Sequence, residues 1–126
     1  MVQDIQVKLR EIENTCSISE YLNNFFLSYN IPRATLVRLG LEETIPADKK
    51  IIIGNKLFCT YTTAENLYAK YDQVQRKVVK NSKCRFVMLI NDKEILALDT
   101  NNGEWLSVAR NQIHTEFEFF LPLAGI

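Results

Sequence analysis

The sequence predicts a single α/β (α+β) domain over residues 1–126, built on one mixed β-sheet flanked by helices. Three observations carry this. The first third repeats apolar residues at helical spacing, and the middle alternates short β-branched and aromatic runs with a further amphipathic stretch. One of those runs, Phe86 to Ile90, is apolar throughout, the mark of a strand covered on both faces. A chain of 126 residues suffices for one core without disulfides or a structural metal.

Taken in order, Ile5, Leu9 and Ile12 predict a first helix over residues 2–14. Ser17-Ile18-Ser19-Glu20 has the form of a capping box, in which hydroxyl and carboxylate each satisfy an amide at a helix start. Behind it Ile18, Tyr21, Leu22, Phe25 and Phe26 make a broad apolar stripe, so a second helix lies on the core. Asn30-Ile31-Pro32 ends it. Pro32 then opens a short third helix through Leu39, with Gly40 suited to a left-handed cap.

Gly40 to Lys50 reads as a loop. Ile51 to Ile53 and Leu57 to Tyr61, around the Gly54-Asn55 turn signal, predict a hairpin. Thr62-Thr63-Ala64-Glu65 repeats the capping-box form, and Leu67, Tyr71, Val74 and Val78 follow on one helical face. Phe86 to Ile90 is then the central strand, Asn91-Asp92 a turn, and Ile95 to Leu98 another strand closed by Asn101-Asn102-Gly103. Residues 104–116 fit no single pattern, with Trp105 and Leu106 anchoring a short segment. The closing stretch, with Phe117, Phe119, Phe120, Leu121, Leu123 and Ile126, predicts a last core-facing segment, since terminal residues are ordinarily polar and frayed.

Fifteen basic and fifteen acidic residues leave no net charge, which argues against a grip of the whole domain on nucleic acid and leaves room for a local basic patch. Cys16, Cys59 and Cys84 are dispersed, odd in number and in no CxxC pair, so reduced, mostly buried thiols of a cytoplasmic protein are expected. The first residues carry no apolar leader, and no run approaches the roughly 18 apolar residues of a membrane span.

Little in the sequence points to catalysis. The sole histidine, His114, stands far from every cysteine, so a structural or exposed role outweighs a nucleophile's base. Zinc needs about four clustered ligands and phosphate-cradling loops need grouped glycines; neither is present. A magnesium nuclease needs two acids and ordinarily a lysine, yet Leu57-Phe58-Cys59-Thr60-Tyr61 supplies none of these, leaving Asp48 before the first strand and Lys56 at the second. Arg76, Lys77, Lys80, Lys83 and Arg85 form a basic stretch with no acid between Asp72 and Asp92. It suits a helix C-terminus, and it also suits phosphate contacts, with Arg33 and Arg38 on the third helix as candidate extensions. The phenylalanines favour packing over base stacking.

Read together, "FFLSYNIPRATLVRL", "GNKLFCTY" followed by "AENLYAKYDQV", "CRFVMLINDKEILALDT" and the closing "FFLPLAGI" resemble the N-terminal, nuclease-like domain of type II restriction-modification proteins in which one chain also carries an adenine-specific DNA methyltransferase. The resemblance implies a restriction-endonuclease-like fold, with the last apolar segment leading toward the methyltransferase. It implies double-stranded DNA and the methyltransferase domain of the same chain as partners. It implies S-adenosylmethionine and magnesium for the parent protein, with no cofactor in this domain. The family pattern places an Asp at or before one strand and a Glu-x-Lys on the next. Asp48 stands near the first place, whereas Cys59-Thr60-Tyr61 holds the second, so the carboxylate and lysine do not carry over. An Asn-Pro-Pro-Tyr-type motif and a glycine-rich cofactor motif are also missing from these residues.

Three readings follow: a non-catalytic accessory domain placing the protein on DNA, an active magnesium endonuclease with migrated acids at Asp48 and Glu65, and a protein-interaction module that docks through the tail.

Overall fold

The computed structural model describes residues 2–77 and 83–126. The fold is mixed α/β with one five-stranded mixed sheet, and the chain divides into two compact units, Met1–Ile45 with Val108–Ile126, and Pro46–Ser107.

The first unit is helical. Helix α1 (Val2–Ile12) buries Ile5, Leu9 and Ile12, the residues whose spacing predicts it. Helix α2 (Ile18–Ser28) starts at Ser17, whose hydroxyl accepts the Glu20 N–H, and buries Tyr21, Leu22, Phe25 and Phe26. Helix α3 (Arg33–Arg38) follows Pro32, and Gly40 beyond it takes φ 73°, a conformation that costs a residue with a Cβ. The asparagine amide of Asn23 and the hydroxyl of Ser19 both donate to the Leu41 carbonyl, fastening the loop to α2.

The closing segment, Arg110–Ala124, is 3₁₀ helix with a kink at Glu116. It packs on α1 and buries Arg110, Ile113, Phe120 and Leu123. Phe120 meets the Phe25 ring edge-on at 5.3 Å, and the Tyr29 hydroxyl donates to the Phe117 carbonyl at 2.8 Å. The tail is thus core-facing, as its composition predicts. Ile126, at the end, is exposed.

The second unit holds strands β1 (Lys50–Ile53), β2 (Leu57–Tyr61), β3 (Phe86–Ile90), β4 (Glu94–Asp99) and β5 (Glu104–Ala109), which continues into the first unit, and helix α4 (Leu67–Lys77). The strands lie in sequence order. β1 and β2 form the predicted antiparallel hairpin, with Lys50 opposite Thr60. β2 and β3 run parallel, Cys59 opposite Met88, and such a pair needs a crossover connection, here by way of α4. β3 and β4 are antiparallel. β3 is central and buried at all five positions, in accord with its unbroken apolar run.

Leu67 and Tyr71 of α4 pack with Phe58, Cys84, Val87, Leu89 and Leu96, and Val74 joins them, so one helical face meets one sheet face. Asn91 holds the turn after β3: its side-chain oxygen accepts the amides of Lys93 and Glu94, and its amide donates to the Ala64 carbonyl.

Two expectations need correction. Residues 62–65 do not cap α4. Thr62 closes a local turn by accepting the Ala64 N–H, and the side-chain oxygen of Asn66 accepts the Ala69 N–H three residues on, so the helix begins at Leu67. Residues 104–109 form a fifth strand, in which alternation turns Leu106 inward and leaves Trp105 46% exposed. The cysteines are mostly buried, as expected: Cys59 and Cys84 are buried, Cys16 is exposed, and none of the three is in a disulfide. Val78 lies outside the described residues.

Candidate functional site

A groove of about 510 Å³ lies within the second unit, between the β1–β2 hairpin and α4. Its described lining comprises Asp48, Lys50, Phe58, Thr60, Lys70, Gln73, Val74 and Arg76. Three are basic and one is acidic. Phe58 and Val74 belong to the packed layer below, and the polar groups stand around it.

The chain folds this way locally because Asp48 adopts φ 66°, a left-handed conformation that Asp tolerates better than most residues. Its amide donates to the Tyr61 carbonyl at 2.7 Å, which extends the hairpin pairing backward and sets Asp48 beside the end of β2. The Thr60 hydroxyl donates to the Lys49 carbonyl at 2.9 Å and ties the same two strands together. From α4, Lys70 reaches across, and its ammonium lies 3.0 Å from Asp48 Oδ1. The Lys70 side chain is only 20% exposed and Asp48 63%, so the lysine is the more firmly held partner. Lys50 and Arg76 are exposed at the rim.

The magnesium site implied by the resemblance would need a second acid near Asp48 and a lysine on β2. β2 presents Cys59, Thr60 and Tyr61 instead. Full burial pushes the Cys59 thiol well above its ordinary range, so it stays a neutral thiol rather than an anionic ligand. Among the described residues no group of three or more His, Cys, Asp or Glu side chains is arranged to hold a metal ion. These residues do not fit magnesium.

The candidate residues fall in different places. Asp48 and Arg76 share the groove. Glu65 is exposed in the bend before α4 and is not in the groove lining. Lys83 is exposed. Arg85 donates from Nε and Nη2 to the two Asp99 carboxylate oxygens, each at 3.1 Å, and Asp99 is buried, so this guanidinium is committed to the fold. Arg33 and Arg38 belong to α3 in the other unit, both exposed, with Arg33 3.5 Å from Glu42. Lys80 lies outside the described residues, and of Lys77 only the backbone is described. Lys50, Lys70, Thr60 and Gln73 were not legible as site residues. Lys70 and Gln73 do sit three apart beside the apolar stripe of α4, a signal that marks one flank of the helix.

The chain is similar to part of a DNA methyltransferase. DNA methyltransferase A of Bacillus subtilis (strain 168) is 27% identical to it over 126 residues, which cover 98% of this chain and 14% of that protein. The chain therefore spans about one-seventh of the length of that curated relative. No family model matches the chain, and no solved structure matches it. No helix among the described residues is long and apolar enough to cross a membrane.

Proposed function

We propose that this chain is an accessory domain of a DNA methyltransferase protein of the restriction-modification type, a nuclease-like scaffold with a degraded metal site that helps to position the protein on double-stranded DNA. The observation that supports it is the groove, whose described lining sets one carboxylate, Asp48, among three basic residues. Asp48 stands at the mouth of β1, beside the strand where the family pattern sets Glu-x-Lys, and that strand offers a buried thiol and a hydroxyl. The relative's name makes DNA the natural partner, and the basic residues Arg76 and Lys83 supply phosphate contacts that carry affinity without base information. Methylation, with S-adenosylmethionine as methyl donor, belongs in this reading to other parts of the parent protein.

The alternative of an active endonuclease draws no support from the geometry, because Glu65 is not among the residues lining the groove with Asp48. Docking through the tail is likewise disfavoured, since Phe120 and Leu123 are buried within their own unit.

Fluorescence anisotropy with a labelled duplex tests the proposal. Binding at low salt, weakened steeply by added salt and by the double charge reversal Arg76→Glu with Lys83→Glu, is the expected result. A chain that binds no duplex at low ionic strength overturns it.

A further inference from the structure

The mismatch between the groove and a metal has a chemical consequence. The only carboxylate on the described lining, Asp48, is 63% exposed and lies 3.0 Å from the ammonium of Lys70, so water can take over its solvation when Lys70 turns to another anion. With Lys50 and Arg76 on the same lining, positive groups outnumber the carboxylate by two. The Gln73 amide and the Thr60 hydroxyl add neutral polar groups on opposite walls. A groove with surplus cations from both a strand and a helix suits an anion that presents several oxygens in different directions. A phosphate group does this and a carboxylate does it less well.

We propose that the groove between β1, β2 and α4 is a metal-independent binding site for a backbone phosphodiester of DNA, in which the Lys70 ammonium serves where a nuclease would place its ion and Asp48 is the competing internal anion. This rests on the reading of the domain as a DNA-positioning module and deepens it. Lys70 is shared: Asp48 holds it when the groove is empty, and a bound phosphodiester draws on the same ammonium together with Lys50 and Arg76. No bond is made or broken in the site, and the duplex leaves unchanged.

The sign of the Asp48 effect separates this site from a metal site. A carboxylate that holds a catalytic ion helps DNA bind, whereas one that competes with phosphate hinders it. Duplex affinity is measured by anisotropy at constant ionic strength with EDTA or with magnesium. Asp48→Asn is expected to tighten binding about threefold to tenfold, and Lys70→Gln to weaken it by a similar factor and to lower the salt slope by about 0.9. Affinity is expected to be the same in EDTA and in magnesium.

Weaker binding by Asp48→Asn, a requirement for magnesium, or equal competition by polyglutamate at matched charge would overturn the site. Amide NMR with inorganic phosphate reads the groove without DNA, and shifts at Thr60, Lys70 and Gln73 are expected. If duplex binds while both variants behave as wild type and phosphate leaves those amides unmoved, the groove assignment fails and the DNA-positioning reading stands. If phosphate moves them while no duplex binds, the groove stands as an anion site and the DNA-positioning reading fails.

Discussion

His114 and Glu13, 101 residues apart, are joined twice: the His114 backbone amide donates to Glu13 Oε2 at 3.0 Å, and its Nδ1 lies 2.6 Å from the same oxygen. An ionised carboxylate only accepts, so Nδ1 carries the proton. The His114 side chain is 18% exposed and that of Glu13 10%, and Gln6 donates to the His114 carbonyl. The sole histidine of the chain therefore fastens the 3₁₀ segment to the turn that follows α1, and through Gln6 to the helix itself, a structural role. Glu13→Ala should lower stability by about 3 kcal/mol, because it strands a half-buried ring donor and a backbone amide. Urea denaturation checks this, and a double-mutant cycle with His114→Ala should return a coupling above about 1 kcal/mol.

Arg110 holds the start of the same segment. Its guanidinium lies 4.4 Å over the Tyr21 ring and donates from Nη2 to the Thr15 carbonyl at 3.1 Å, while the Tyr21 hydroxyl donates back to the Arg110 carbonyl at 2.7 Å. Stacking and directed donation both need the planar fork. Arg110→Lys should cost about 1–2 kcal/mol despite the retained charge, read as a fall in the denaturation midpoint with an unchanged m-value.

Two arginines of the basic stretch should separate stability from affinity. Arg85→Ala uncovers the buried carboxylate of Asp99 and should lower stability by about 2 kcal/mol with little change in duplex affinity. Arg76→Ala, at an exposed position on the groove, should do the reverse. Denaturation and anisotropy on the same two preparations check both.

The helix caps give a further pair. Asn66→Ala removes the acceptor for the Ala69 amide and should cost about 1 kcal/mol, while Glu65→Ala, exposed ahead of the helix, should stay within about 0.5 kcal/mol of wild type. Thermal denaturation of the two variants distinguishes Asn66 from the capping box suggested by residues 62–65.

Alkaline pH should unfold the chain. Burial raises the phenols of Tyr21 and Tyr29 and the thiol of Cys59 well above their ordinary ranges. A group whose folded pKa is raised contributes stability that is whole below its unfolded pKa and is lost as pH rises toward the folded one. Stability should thus begin to fall above about pH 8.5 through Cys59 and more steeply above about pH 10 through the tyrosines, each adding about 1.4 kcal/mol per pH unit. Cys59→Ala should remove the earlier part of the decline in urea titrations across pH.

Local pattern settled most elements of this protein. Ile5, Leu9 and Ile12 define the buried face of α1, Ser17 caps α2, Gly40 ends the third helix, and the five apolar residues from Phe86 make β3 the central strand. Each depends on periodicity or on a hydrogen bond within a few residues, so neighbours in sequence suffice to specify it. The fifth strand was not legible because six residues with one inward Leu106 carry too little alternation to stand apart from a loop. Its strand character comes from the neighbouring β4.

The candidate site divides the same way. Asp48 and Arg76 stood out in the sequence, the first as an acid before a strand and the second in a basic run. Only tertiary structure decided that Lys70 neutralises Asp48, that Arg85 belongs to Asp99, that Glu65 lies off the groove lining and that Lys50 faces the groove. The physical reason is the parallel β2–β3 pair. A parallel pair requires the intervening helix to cross the sheet, and that crossing brings residue 70 to residue 48, a contact that no spacing along the chain encodes.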